Sequence, residues 1–217
     1  SLEVVLETSE NGIVQWVNRE HSMLEQIAAG PSISQLNQNI IEQQTASANG
    51  APSELISRLV DELRLLQRIK NNEGILLFSN SGQVIVSTAS AEITQNIDIV
   101  EYHQNVFQKA LSAHSIVPPI SFKLDNGTSQ ALLLITVPVR KNGDTIAVLA
   151  GLYDAEDQLS KAAFLGRIGE SGETYLFDET GTMATNSRFN ETLEDIGLIG
   201  RGQSAISNVK LYDPGIN

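Results

Sequence analysis

Leu77-Phe78-Ser79-Asn80-Ser81-Gly82 and, 99 positions on, Leu176-Phe177-Asp178-Glu179-Thr180-Gly181 decide the reading of this chain. Each stretch is an apolar run (Ile75 to Phe78; Tyr175 to Phe177), a polar turn closing on glycine, and a second apolar run (Val84 to Val86; Met183 to Ala184). Gly82 and Gly181 stand where a hairpin turn calls for positive φ, a conformation that a Cβ opposes. Any β-hairpin can carry such a pattern, but self-similarity at a fixed separation predicts two similar modules in tandem.

Before the first copy, the apolar residues Ile13, Trp16, Val17, Leu24, Ile27, Ile33, Leu36 and Ile40, with Glu20 in step, recur at spacings of three and four. That period predicts one long helix from Leu2 to about Gln44, bent at Gly30-Pro31. Its polar gaps leave a single apolar stripe, and Ile13, Trp16, Leu24 and Ile27 make it a candidate homodimer seam. Ala46 to Pro52, rich in Ser, Gly, Asn and Pro, breaks the pattern. Ser53 is a natural N-cap for a second helix carrying Ile56, Leu59, Val60, Leu63 and Leu66 and ending near Asn71-Asn72.

Around the first signature the period changes to that of strands. Ile75 to Phe78 and Gln83 to Ser87 form a hairpin, a loop runs from Thr88 to Asn96, and a short helix covers Val100 to Leu111. Strands follow at Ile116 to Lys123, Gln130 to Arg140 and Thr145 to Tyr153, joined by turns at Asp125-Asn126-Gly127 and Asn142-Gly143-Asp144. Asp154 caps a helix starting near Ala155. The fold class is α+β: a long N-terminal helix and linker (1–52), a first module with a five-stranded antiparallel sheet flanked by helices (53–165), and a second, incomplete module (166–217). In the second, Thr182 to Thr185 answers Tyr175 to Phe177, and Glu191 to Ile196 reads as helix.

Composition excludes several classes. With 217 residues, 41% hydrophobic and 18% charged, the chain is an ordinary globular one, and no apolar run is long enough to span a membrane. Fourteen Lys and Arg against 26 Asp and Glu give a net charge of −12, so the attraction that drives nucleic-acid binding is missing. The absence of cysteine removes disulfides and thiol chemistry. No Gly-x-Ser-x-Gly elbow, Gly-rich phosphate loop with Lys or His-Glu-x-x-His helix is present, and His21, His103 and His114 share no metal-ligand spacing. Glu156-Asp157 and Glu194-Asp195 are adjacent helical pairs whose side chains diverge, so they read as solvated faces rather than as an acid and a base. No catalytic residue, metal site or cofactor is expected.

The order of elements, together with Gly169-Glu170-Ser171-Gly172-Glu173-Thr174-Tyr175-Leu176-Phe177-Asp178 and Asn186-Ser187-Arg188-Phe189, resembles the double Cache, or tandem PAS-like, sensor domains of bacterial transmembrane receptors. The resemblance implies a periplasmic or extracellular domain anchored in the cytoplasmic membrane by flanking helices, with a small-molecule ligand bound in the membrane-distal module. Catalysis would lie in a cytoplasmic output, with a two-component histidine kinase the commonest expectation and a chemoreceptor or diguanylate cyclase the alternatives. Rival readings are a scaffold module without a usable cavity and a free periplasmic solute-binding protein.

Carried over to this chain, the family's ligand region covers Tyr102, His103, Phe107, Phe122, Tyr153 and Asp154. Tyr102, Phe107, Phe122 and Tyr153 would supply apolar walls, though core packing alone would place aromatics there too. His103 offers a hydrogen bond and a group titrating near neutral pH. Asp154 suits either an ammonium group or a helix cap, and the cap is the preferred reading. The window Glu101 to Phe107 has neither the Arg nor the Trp that amino-acid-binding members present, so bidentate capture of a carboxylate lacks its donor there; Arg140, at a strand end, is expected to face solvent. In the second module Tyr175 and Arg188 are the candidates, the latter also open to a salt bridge with a carboxylate.

Overall fold

The apolar period that opens the chain becomes helix α1 (Leu2–Ala28). The computed structural model describes residues 2–33, 53–70, 72–97, 99–160 and 174–212. Leu24 and Val17 of the α1 stripe are buried, and so is Glu20, whose carboxylate is held by Arg19 Nε at 3.1 Å. Where a bend was expected, the helix ends. The Gly30 N–H reaches back only three residues to the Ile27 carbonyl, and Pro31 has no N–H to extend the ladder. Residues 31–33 return to helix; the rest of the expected run to Gln44, with the Ala46 to Pro52 linker, lies outside the described residues.

Helix α2 (Ser53–Lys70) buries Leu59 and Leu63 and starts at Ser53, which is helical rather than its flanking cap. Strands β1 (Gly74–Ser79) and β2 (Val84–Ser87) form the first hairpin. Their register passes from Leu77↔Val86 to Phe78↔Val84, so Ile85 is an extra residue in a bulge. Gly74 is required at the head of β1, because a Cβ there would lie 2.7 Å from Ala89 Cβ. Between β2 and the next predicted helix the expected loop is helix α3 (Ala91–Asn96), capped by Ser90, whose side chain accepts from the Ile93 N–H. Six residues make under two turns, too few for a 3.6 period to show.

Helix α4 (Ile99–Ser112) leads into β3 (Ser115–Lys123), β4 (Ser129–Lys141) and β5 (Asp144–Asp154). The five strands order as β2-β1-β5-β4-β3, and β1 pairs antiparallel with both β2 and β5. In β1, β4 and β5 burial is nearly continuous rather than alternating, which means that both faces of these strands are covered. Asn142 (φ 53°) and Gly143 (φ 94°) make the expected two-residue turn between β4 and β5. Past Asp154 the chain winds into a single π turn, Glu156–Ser160, where an α-helix was expected.

The second signature does not become two strands. Phe177↔Met183 and Thr182↔Lys210 are isolated bridges, and the expected strands Tyr175 to Phe177 and Thr182 to Thr185 are absent from the described residues. Each bridging residue has one partner and no neighbouring pair to extend it, so no ladder propagates. Helix α5 (Asn190–Asp195) follows, close to its expected place. Met183, Ile199, Ala205 and Val209 form a small core packed by Tyr175 and Leu193.

Compact units do not follow chain order. One unit takes in Ser1–Val17, Pro118–Leu133 and Tyr153–Asn217; the other takes in Asn18–Val117 and Leu134–Leu152.

Candidate ligand-binding site

Helix α4 forms because Ile99, Phe107 and Ala110 give it a buried face, with Glu101 in its first turn and Lys109 in its last, as the helix dipole favours. It carries Tyr102 and His103, whose side chains lie outside the described residues. Phe107 is 1% exposed and meets Phe78 edge-on at 6.4 Å between ring centroids, so it packs in the core. Both rings belong to the unit containing Asn18–Val117.

Phe122, Tyr153 and Asp154 belong to the other unit. Phe122 on β3 is half-buried. Tyr153, buried at the end of β5, takes the edge of Trp16 at 5.3 Å and 87°. Asp154 divides its carboxylate: Oδ1 accepts the Asp157 N–H at 3.0 Å, and Oδ2 lies 3.5 Å from Gln130 Nε2. The cap reading of Asp154 is therefore its observed role. Further along, the Tyr175 hydroxyl lies 3.4 Å from Ser187 Oγ, and the Arg188 guanidinium stands 5.0 Å over the Phe189 ring.

Sequence reading passed over Asn72. Its side chain is buried, and neither Oδ1 nor Nδ2 has a hydrogen-bond partner, although its carbonyl accepts from Gln67 Nε2. The next residue is tied down, Glu73 N–H donating to the Leu152 carbonyl at 2.9 Å. An orphaned buried carboxamide is costly, by roughly 1–3 kcal/mol, and asks for a polar group to complete it. No local pattern could have signalled this, since a pair of asparagines after a helix reads as its stop.

The fold also gathers residues that the sequence scatters. His114 Nε2 pairs with Glu25 Oε1, and the His21 ring lies 4.9 Å from that of His114. Burial holds the His21 pKa below its usual value; the Ser115 carbonyl, 3.5 Å from Nε2, opposes that shift, His114 adds to it, and Glu25 opposes it. Among the described residues no group of three His, Cys, Asp or Glu is arranged to hold a metal ion, and no helix is long and apolar enough to cross a membrane.

A long N-terminal helix followed by a five-stranded antiparallel sheet ordered 2-1-5-4-3 with flanking helices is the α+β fold of Cache-type domains. The chain belongs to the double Cache family: its model, described as Cache domain, matches residues 1–214. Solved structures share the fold. The ligand-binding domain of the Campylobacter jejuni chemoreceptor Tlp3 in complex with 4-methylisoleucine is 21% identical, with a TM-score of 0.54 over 92% of this chain and 71% of that one. The Pseudomonas fluorescens chemoreceptor CtaA domain in complex with L-serine is 15% identical, with a TM-score of 0.53 over 88% and 74%. The Pseudomonas aeruginosa amino-acid chemoreceptor PctC domain in complex with GABA is 15% identical, with a TM-score of 0.51 over 90% and 80%. No curated protein matches the sequence. Cache domains are extracytoplasmic sensor domains of membrane receptors, and ligand binding in them is non-enzymatic.

Proposed function

We propose that this chain is the ligand-sensing domain of a transmembrane receptor, that it binds a small molecule in its first module (53–165), and that it relays binding through α1 to an output across the membrane. Family membership supports the sensor reading, and Asn72 is the observation that carries its location. A buried amide with neither end satisfied, at the α2–β1 junction of that module, suits a site completed by a ligand's polar group. Tyr102 and His103 on α4 are the accompanying candidates in that unit, and Phe122 and Tyr153 are separate candidates in the other. Binding shifts the receptor only by its differential affinity for two arrangements. The output we favour is a two-component histidine kinase.

The test is a thermal-shift screen with amino acids, amines, organic acids and nucleobases, repeated with Asn72→Ala, His103→Ala and Tyr153→Ala. A hit at 100 times its dissociation constant stabilises by about 2.7 kcal/mol. Loss of that shift in Asn72→Ala supports the reading; an unchanged shift in all three variants removes the site from this module. A homodimer through α1 belongs to the same proposal. Leu24 is buried within the chain and Trp16 is taken by Tyr153, so the available face is the one bearing Val14, 49% exposed. Because the chain has no cysteine, Val14→Cys should trap a disulfide-linked dimer; a strictly monomeric product under oxidation removes the seam.

A further inference from the structure

Arg140 stands apart in a chain with 26 Asp and Glu: among the described residues it has no acidic partner, and its Nη2 donates to the Ser112 carbonyl at the end of α4. A guanidinium has five N–H donors, so four are uncommitted by that bond. Arg140 lines an open cleft of about 690 Å³, within the roughly 300–1,000 Å³ range of small-molecule sites. All of the cleft belongs to one compact unit.

The cleft walls differ in chemistry. Ala28 and Ala29 at the end of α1, Ala113 and Pro138 present small apolar surface. The same cleft is lined by Arg140 and the Glu25–His114 pair, in which the acid already has an imidazole partner. A planar guanidinium beside a short apolar floor matches a carboxylate on a small apolar body. A dianion would meet Glu25 with its second charge, and an amine would meet Arg140.

We propose that this cleft is a second ligand site, separate from the residues invoked above, and that it takes a small aliphatic monocarboxylate whose carboxylate sits on Arg140. The donor missing from the Glu101 to Phe107 window is present on β4 instead.

Sodium butyrate is a suitable probe for the isotope-labelled protein, with butyramide and butylamine as matched controls. Butyrate should shift the backbone amides of Ala28, Ala29 and Ala113 saturably, and the controls should not. Arg140→Gln should weaken that binding about tenfold or more, the loss expected for a charge-assisted pair, and Arg140→Lys should recover part of it. Ala29→Trp, at an exposed position, should fill the cleft and abolish the shifts with the fold intact. Absence of saturable shifts, equal shifts with butyramide, or unchanged affinity in Arg140→Gln would each overturn the proposal. None of these results bears on Asn72, so the two sites fail or stand separately.

Discussion

The two signature hairpins have the same turn and different fates. In the first, Ser79 N–H bonds to the Gln83 carbonyl and Gly82 N–H to the Ser79 carbonyl; in the second, Asp178 pairs with Thr182 and Gly181 with Asp178 in the same pattern. Gly82 and Gly181 have φ of 86° and 84°. Ser79 Oγ accepts from the Gln83 N–H as Asp178 Oδ1 does from the Thr182 N–H. Yet Phe78 is 0% exposed inside a five-stranded sheet, and its counterpart Phe177 is 61% exposed beside an isolated bridge. A third turn, Leu124 to Thr128, repeats the main-chain bonds with Gly127 at φ 84° and belongs to neither signature. Turn chemistry fixes the turn; whether its arms become a sheet depends on strands elsewhere in the chain.

The widest separation should come from the matched phenylalanines. Phe78→Ala opens a cavity against Phe107 and should cost about 3–5 kcal/mol in denaturant unfolding, whereas Phe177→Ala should stay within about 0.5 kcal/mol. Similar losses at both positions would mean that the second hairpin is packed as the first is. Next come the glycines. Gly181→Ala places a Cβ 2.5 Å from the Leu211 carbonyl oxygen, at a backbone that also accepts the Leu211 N–H, so backbone must shift. Gly127→Ala meets nothing within 4 Å and should cost only the roughly 1–2 kcal/mol of an unfavourable φ. Hydrogen exchange at Leu211 distinguishes the two, accelerating in Gly181→Ala alone.

Acceptor deletions should differ less. Asp178 Oδ1 serves Thr180 N, Thr180 Oγ1 and Thr182 N, so Asp178→Ala should lose about 1–2 kcal/mol. Ser79→Ala, which loses one backbone donor and the Ser81 hydroxyl, should lose about 0.5–1 kcal/mol on the same scale. The smallest contrast is in pH. All three histidines lie in the first hairpin's unit, and His21, facing His114, Glu25 and the Ser115 carbonyl, has a lowered pKa. Below 6.5 the unfolded chain binds a proton that folded His21 resists, so this contribution is full above that value and is lost as the pH falls toward the folded pKa. Amide protection around the first hairpin should weaken with acid while that of Met183 and Val209 holds, and His21→Gln should flatten the trend.

The sheet was legible because its strands carry continuous apolar runs between Asn-Gly and Asp-Asn-Gly turns, signals that reside within a few neighbouring residues. Helices α2 and α4 showed their period, and α3 was too short to show one. The second module misled because its turn is as well formed as the first, while the partner of Thr182 is Lys210, 28 positions away. The site was far less legible. An aromatic that lines a pocket and one that fills a core have the same sequence, and Phe107 proved to be core. Asn72 became visible only through burial, and Glu25, His114 and Arg140 come to line one cleft only because α1, the end of α4 and β4 converge.

The interleaving of the two units also sets an order of events during synthesis. Nothing the second hairpin's unit needs is complete until the chain beyond Tyr153 has been made, although Ser1–Val17 belongs to that unit. Chains emerge N-terminus first, and contacts distant in sequence form late. Residues 1–17 therefore emerge before the rest of their unit and wait for it, and the Asn18–Val117 part of the other unit is made in the interval.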